Sequence, residues 1–354
     1  MSLIIDGNFD GGNPKEKDRI VRNGEDGIIV YPFSEDGDPN YKFRMDLLIS
    51  NTGKESIPAS LTVDWETEKF MMHRDYCFLR DPGTKGWRYI QGEVRKTCSF
   101  LNLPLLPGES YLCLHPKYNY DDYLQYIHGL EESEMVKKSL LGVSREGREV
   151  WMVKISHPER PARKNLLAVA RVHPYETSGS YCAEGIIDSF HQPSAIAMDM
   201  LERCNLYIVP MISPDGVSHG YGKLTTHGGI DLSKTVDMAD ASCVLLKNLI
   251  DEVRPSVYVE FHNWMFKDVD GIYFMNYLQS RKFIRSMPSQ EEFGKRWRVI
   301  LRRKILSTSG FGFKKYCKEN FRSVTVCLEY PWFGRSPEDV KKLGMHSILA
   351  LSRM

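Results

Sequence analysis

In Val169-Ala170-Arg171-Val172-His173-Pro174-Tyr175-Glu176, a largely apolar run over 166–172 stops at a histidine, with a glutamate three positions later. A strand that ends in His-x-x-Glu sets an imidazole and a carboxylate side by side at a sheet edge. Those are two of the three protein ligands that a catalytic zinc takes, the last position being kept for water. The spacing alone decides nothing, since it arises by chance and equally suits a surface loop after a strand. Two later runs change the weight. Residues 257–262 are β-branched and aromatic and end in His262. Residues 323–329 are of the same type, end in Glu329 and are followed by Tyr330 and Pro331. Singly, His262 reads as a hydrogen-bonded histidine and Glu329 as an ion-pair partner at a strand end. In open α/β sheets, however, ligands bind beyond the carboxyl ends of the strands. Three such strands put His173, Glu176, His262 and Glu329 on one rim.

The chain around that rim has 354 residues, enough for two domains and a sizeable core. Its 47 basic and 46 acidic side chains balance to +1, so no electrostatic case exists for nucleic acid or an anionic membrane as main partner. No apolar run approaches transmembrane length. The start, Met1-Ser-Leu-Ile-Ile-Asp-Gly, has neither the basic region nor the apolar length of a signal peptide. Eight cysteines occur without a C-x-x-C pair, and Cys113, Cys182, Cys204 and Cys327 lie in apolar segments. They read as core residues with free thiols in a reducing compartment, so the expectation is a cytoplasmic protein.

Residues 20–115 read as all-β. Short apolar runs around 27–31, 43–49 and 59–65 are separated by turn clusters at 36–39, 51–53, 81–83 and 107–108. That spacing predicts an antiparallel β-sandwich over residues 1–117. An aromatic and polar connection with an opening helix follows, and from about 140 strands alternate with amphipathic stretches. Thr177 or Ser178 caps one helix that buries Tyr181, Ile186, Ile187 and Phe190. Residues 239–253 repeat the spacing, and Ser336-Pro337 is a helix start. Residues 118–354 therefore form an α/β domain with helices on both faces of a mixed sheet. Residues 289–306 are predicted to be helical. Lys295, Arg296, Arg298, Arg302, Arg303 and Lys304 form a solvated face, and Phe293, Trp297, Ile300, Leu301 and Ile305 turn inward; a dock for an acidic partner is the weaker reading.

With His173, Glu176 and His262 on a divalent metal, zinc above all, a water there ionises near pH 7. Glu329 across the rim can take that water's proton and return it to a leaving amine, which amounts to amide hydrolysis. Such a hydrolase also needs a cation at the developing oxyanion and donors for the end of the substrate. The glycine-rich loop 214–234, with Lys223 and Lys234, is placed to supply both. It can equally be a surface loop.

Three runs together resemble the zinc carboxypeptidases, with the cytosolic carboxypeptidases as the nearest branch: 170–177, 208–217 (Ile-Val-Pro-Met-Ile-Ser-Pro-Asp-Gly-Val) and 229–232 (Gly-Ile-Asp-Leu). The segment 111–120 is similar to the one that joins their N-terminal β-sandwich to the catalytic domain. The resemblance implies one zinc per chain on His173, Glu176 and His262, with Glu329 as general acid/base. It implies a peptide or protein C-terminal tail as substrate. The anchoring positions depart from the family pattern. Where family members carry Asn-Arg after Asp-Leu, this chain has Ser233-Lys234, and an upstream family arginine at the oxyanion falls on Lys223. Lysine keeps the charge but loses the planar fork that matches a carboxylate. Tyr175 stands where glycine is common and narrows the cleft. Two other readings stay open. One is a zinc amidase or deacylase acting on a small N-acyl amino acid or a cell-wall peptide. The other is a binding module that has lost activity, against which the four intact site residues argue.

Overall fold

The structure is a computed structural model that describes residues 3–23, 27–35, 37, 42–71, 74–160, 162, 164–263, 266–273, 275–289, 295–300 and 312–354. The chain forms two compact units: residues 1–120 with 216–223, and residues 121–215 with 224–354.

The first unit holds β1 (Leu3–Asp6), β2 (Ile20–Asn23), β3 (Gly27–Val30), β4 (Asp46–Asn51), β5 (Ile57–Asp64), β6 (Tyr76–Arg80), β7 (Arg88–Gln91), β8 (Glu93–Arg95), β9 (Cys98–Leu105) and β10 (Gly108–Cys113). They form two five-stranded sheets, β1-β4-β10-β6-β7 and β2-β3-β5-β9-β8. All pairs are antiparallel except β3 with β5. Alternation drives the pairing: along β9, Ser99, Leu101, Leu103 and Leu105 are buried while their neighbours face out. Inward residues of both sheets, among them Leu47, Ile49, Leu79, Leu112, Leu61, Val63 and Leu103, merge into one core with Trp65. The turn at 51–53 forms through Gly53 N donating to Asn51 Oδ1 at 2.9 Å. The one at 36–39 falls largely outside the described residues.

Segment 216–223 completes this unit from far along the chain. Gly11 N and Lys15 Nζ donate to Ser218 O, at 2.8 and 2.9 Å. Asn13 Nδ2 donates to Gly220 O at 2.9 Å. Gly222 N and Lys223 N both donate to the Glu35 carboxylate.

The second unit is built from α1 (Tyr120–Gly129), β11 (Val136–Val143), β12 (Glu149–Ile155), β13 (Lys164–Ala170), α2 (Thr177–Asp188), α3 (Ala195–Leu201), β14 (Cys204–Val209), the start of α4 (Pro214–His219, which passes into the first unit at Gly216), α5 (Ala241–Val253), β15 (Val257–His262), β16 (Val269–Tyr273), α6 (Tyr277–Ser286), β17 (Arg296–Ile300), α7 (Gly312–Phe321), β18 (Val324–Glu329) and α8 (Pro337–Ser352). Its eight-stranded sheet runs β11-β12-β14-β13-β15-β18-β16-β17. The four central strands are mutually parallel; β12 and β16 lie antiparallel to their inner neighbours, so the sheet is mixed, as expected. Both faces are covered. Leu167, Val169 and Tyr258 share a core with α5 and with Phe313 and Cys317 of α7. On the other face α2 presses so close that a Cβ on Gly179 would meet Phe261 O at 2.8 Å. Behind it, a Cβ on Gly344 of α8 would lie 2.4 Å from Cys182 O, so glycine sets that helix contact.

One predicted element is corrected. Residues 296–300 form a strand, not part of a helix; 290–294 and 301–306 of that expected helix lie outside the described residues. The apolar i,i+4 spacing through Trp297 also accommodates a period of two. Paired parallel to β16, Trp297 packs edge-on to Phe283 and Tyr330, at 5.4 and 6.0 Å between ring centres. Strand β11 gave no sequence signal because it is an edge strand bearing lysines, with a bulge between Leu140 and Gly142.

Candidate metal centre

The turn that presents His173 and Glu176 is held by a residue that looks incidental in sequence. Arg171 is fully buried and takes φ +58°, unusual for a non-glycine residue. Its guanidinium donates to Pro174 O, with Nε at 2.9 Å, and Glu176 N donates to His173 O at 3.2 Å. The chain then passes directly into α2. Ser178 ties that helix start to β15, donating from N to Asn263 Oδ1 at 2.9 Å and from Oγ to His262 O at 3.1 Å. His262 and Glu329 sit opposite each other in the parallel register of β15 and β18, and Tyr330 N donates to His262 O at 2.8 Å.

The four predicted residues therefore meet at one rim. His173 Nδ1 lies 2.9 Å from Glu176 Oε1, and His262 Nδ1 lies 2.5 Å from Glu176 Oε2. The two imidazole centres are 4.9 Å apart. Glu176 Oε2 and His262 Nδ1 are buried and, despite their proximity, have no partner in hydrogen-bonding geometry. Ligand atoms of His173, Glu176 and His262 all fall within 4.8 Å of one another. Two imidazole nitrogens and a carboxylate converging on one point, with orphaned buried atoms among them, fit a zinc ion. Burial pushes the Glu176 carboxyl up, but the two imidazoles outweigh it and hold it down at about 2. The site is thus built around a fixed negative charge that demands positive company.

The far nitrogen of each imidazole is also engaged. His173 Nε2 lies 3.2 Å from Asp231 Oδ1 and 3.0 Å from Ser233 Oγ, and Ser233 Oγ donates to Asp231 Oδ1 at 2.5 Å. His262 Nε2 lies 3.1 Å from Glu260 Oε2. Carboxylates in these positions fix ring orientation and raise ligand basicity. Asp231 is held well below the usual carboxylate range: burial opposes this, but His173, Ser233 and Lys234 prevail.

Glu329 behaves differently. Burial raises its carboxyl to about 7, with Glu176 adding to the rise and both histidines opposing it. The Cys327 thiol donates to Glu329 Oε1 at 3.5 Å, so Cys327 belongs to the site as well as to the strand. The remaining sequence candidates are placed as follows. Ser233 lies against His173 and Asp231. Lys234 Nζ is 3.0 Å from Asp231 Oδ2 with its side chain half exposed. Lys223 belongs to the other unit, its ammonium 5.1 Å from the centre of the Phe43 ring. Asp231, Glu260, Cys327 and Lys314, which pairs with Glu260, have no part in the site in the sequence reading, where Cys327 is a core residue only. A carboxylate two residues before His262 on the same strand was the available signal for Glu260.

A profile described as zinc carboxypeptidase matches residues 123–231. Over that segment the chain is similar to the zinc carboxypeptidases. It is 28% identical over 176 residues to cytosolic carboxypeptidase 2 of Macaca fascicularis, covering 45% of this chain and 21% of that protein. It is 31% identical over 123 residues to cytosolic carboxypeptidase 6 of Mus musculus, covering 33% and 23%. The chain thus spans only about a fifth of the curated relatives it matches. Among solved structures, a metallo-carboxypeptidase from Burkholderia cenocepacia superposes with a TM-score of 0.80 at 16% identity, covering 99% of this chain and 98% of that one. A metallo-carboxypeptidase from Pseudomonas aeruginosa, in complex with (2-guanidinoethylmercapto)succinic acid, gives 0.78 at 15%, with the same coverage. At those identities the likeness establishes the fold. The profile match includes His173 and Glu176 and ends before His262 and Glu329, which the geometry adds.

Proposed function

We propose that the chain is a metallocarboxypeptidase that hydrolyses the C-terminal peptide bond of a peptide or protein tail, with one zinc held by His173, Glu176 and His262. The observation that carries this is the convergence of those three side chains beside a half-buried, high-pKa Glu329, at the carboxyl ends of parallel strands in a carboxypeptidase fold. Zinc, when bound, supplies a Lewis acid that polarises the scissile carbonyl and acidifies water.

The protein's own part is proton handling and orientation. Glu329 takes a proton from the attacking water and passes it to the departing amine. A carboxyl held near 7 by burial is matched to both transfers at neutral pH. Cys327 orients that carboxylate, and Asp231 with Ser233 orients His173. We assign Lys223 to the oxyanion and Ser233 and Lys234 to the substrate carboxylate. Ser233 Oγ is already engaged with Asp231, so the carboxylate falls chiefly to the half-exposed ammonium of Lys234. Residues 1–117 are read as a β-sandwich domain and 118–354 as the catalytic domain. Eight free thiols support a cytoplasmic setting. The test is release of the last residue from zinc-loaded protein and peptides, followed by mass spectrometry. Release from the wild type and none from Glu329→Gln is expected; release at equal rates by both would overturn the reading.

A further inference from the structure

Tyr258, Glu260 and His262 alternate along β15 and so project from one face of the sheet. A carboxylate in the middle of a central parallel strand is costly unless fully satisfied. Glu260 is 1% exposed and is satisfied on every side. Tyr258 OH donates to Oε1 at 2.9 Å. Lys314 Nζ, 3% exposed, donates to Oε2, and His262 Nε2 lies 3.1 Å from that same oxygen. Lys314 comes from the first turn of α7. The helix start is itself pinned: Gly312 N donates to Lys234 O at 3.2 Å, and a Cβ on Gly312 would meet Leu232 O at 2.7 Å and Ser233 O at 2.8 Å. One helix end thus braces both the Ser233 loop that holds His173 and, through Lys314, the carboxylate that holds His262.

We infer that Glu260 and Lys314 are positioning residues for the metal ligand His262. Tyr258 and Lys314 fix the Glu260 carboxylate in place. The carboxylate accepts the Nε2 hydrogen of His262, which fixes the ring and leaves Nδ1 aimed at Glu176 Oε2. Lys314 supplies the counter-charge that makes a buried carboxylate tolerable next to the site, so a cation acts on the metal centre without touching it. The inference rests on the reading that His173, Glu176 and His262 hold zinc, and on no particular substrate.

The experiment measures zinc affinity by chelator competition, together with thermal unfolding of the metal-free protein. It compares wild type with Tyr258→Phe, Glu260→Gln, Lys314→Met and the double variant Glu260→Leu with Lys314→Met. Loss of a carboxylate behind a ligating histidine weakens metal binding by about 10–100-fold, and each single change at Glu260 or Lys314 is expected to do so. Tyr258→Phe weakens it less, in the same direction. The double variant replaces a buried ion pair with apolar side chains, which restores folding stability in such cases. Here it should regain metal-free stability while zinc affinity stays low. Recovery of wild-type affinity in the double variant would make the pair merely structural and overturn the inference, as would unchanged affinity in the single variants. Wild-type protein that takes up no zinc overturns this inference and the proposed centre together. Zinc binding that weakens as expected in a protein that cleaves no peptide upholds the inference and removes only the proposed hydrolysis.

Discussion

His262 Nδ1 and Glu176 Oε2 lie 2.5 Å apart, both buried, with no hydrogen-bond geometry between them. Two electron-rich atoms that close require a shared positive charge. Zinc binding should therefore stabilise the fold, by about 2.7 kcal/mol at a free concentration 100-fold above its dissociation constant. Scanning calorimetry with and without chelator measures this. His262→Ala should lose the zinc-dependent rise in Tm; a full rise in that variant would remove His262 from the site.

Glu329 stands outside the trio of His173, Glu176 and His262, although its carboxylate lies within 4.8 Å of ligand atoms of His262 and Cys327. Glu329→Gln should keep its zinc by elemental analysis and lose roughly 10²–10⁴-fold in kcat, the usual share of a general base. Loss of zinc in parallel with activity would assign Glu329 to the ligand set instead.

The pH profile follows from the same side chain. Burial raises Glu329 to about 7, and it acts as a base only when deprotonated. Activity is then full above that pKa and is lost as pH falls through it. A bound dication pulls the value down, so the acid limb of kcat/KM should lie at or below about 7. A limb rising above pH 8 would point to a different base.

Lys234 is half exposed and pairs with Asp231. As a point charge it attracts a terminal carboxylate without the bidentate grip of an arginine. Peptides with a free C-terminus should be cleaved faster than their amides, and Lys234→Arg should lower KM. Equal cleavage of acid and amide would rule out carboxylate anchoring.

Elsewhere, Arg335 grips Asp270 through two hydrogen bonds of 2.6 and 2.7 Å, with both side chains 2% exposed. Removing one partner strands a buried charge. Arg335→Met should therefore cost about 3–5 kcal/mol of stability in urea unfolding. A cost under 1 kcal/mol would mean that water reaches Asp270.

The rim was legible in sequence because the central parallel strands are largely apolar, so an ionisable residue at or just beyond the end of such a run stands out. His173, Glu176, His262 and Glu329 all carry that signature. The strand at 296–300 was not legible, because the apolar positions around Trp297 fit a helix as well as a sheet, and only pairing with β16 decides between them. Lys314 was invisible for a different reason. A lysine in an amphipathic helix reads as solvent-facing, and its partner Glu260 lies 54 positions away. Ser233 read as a weak substitute for an anchoring amide; its use by Asp231 and His173 depends on a loop closure that spacing does not encode.

The segment 216–223 gives the order of synthesis a structural meaning. The β-rich first unit draws on backbone groups of Ser218, Gly220, Gly222 and Lys223, more than a hundred residues after its last strand, which ends at Cys113. A ribosome must therefore deliver β13, α2 and β14 before that unit can close, although domains commonly fold in sequence from the N-terminus. A nascent chain arrested anywhere between 120 and 215 would carry a first unit with unmet hydrogen bonds at Gly11, Asn13 and Glu35. The chain is one folding problem, stitched rather than strung.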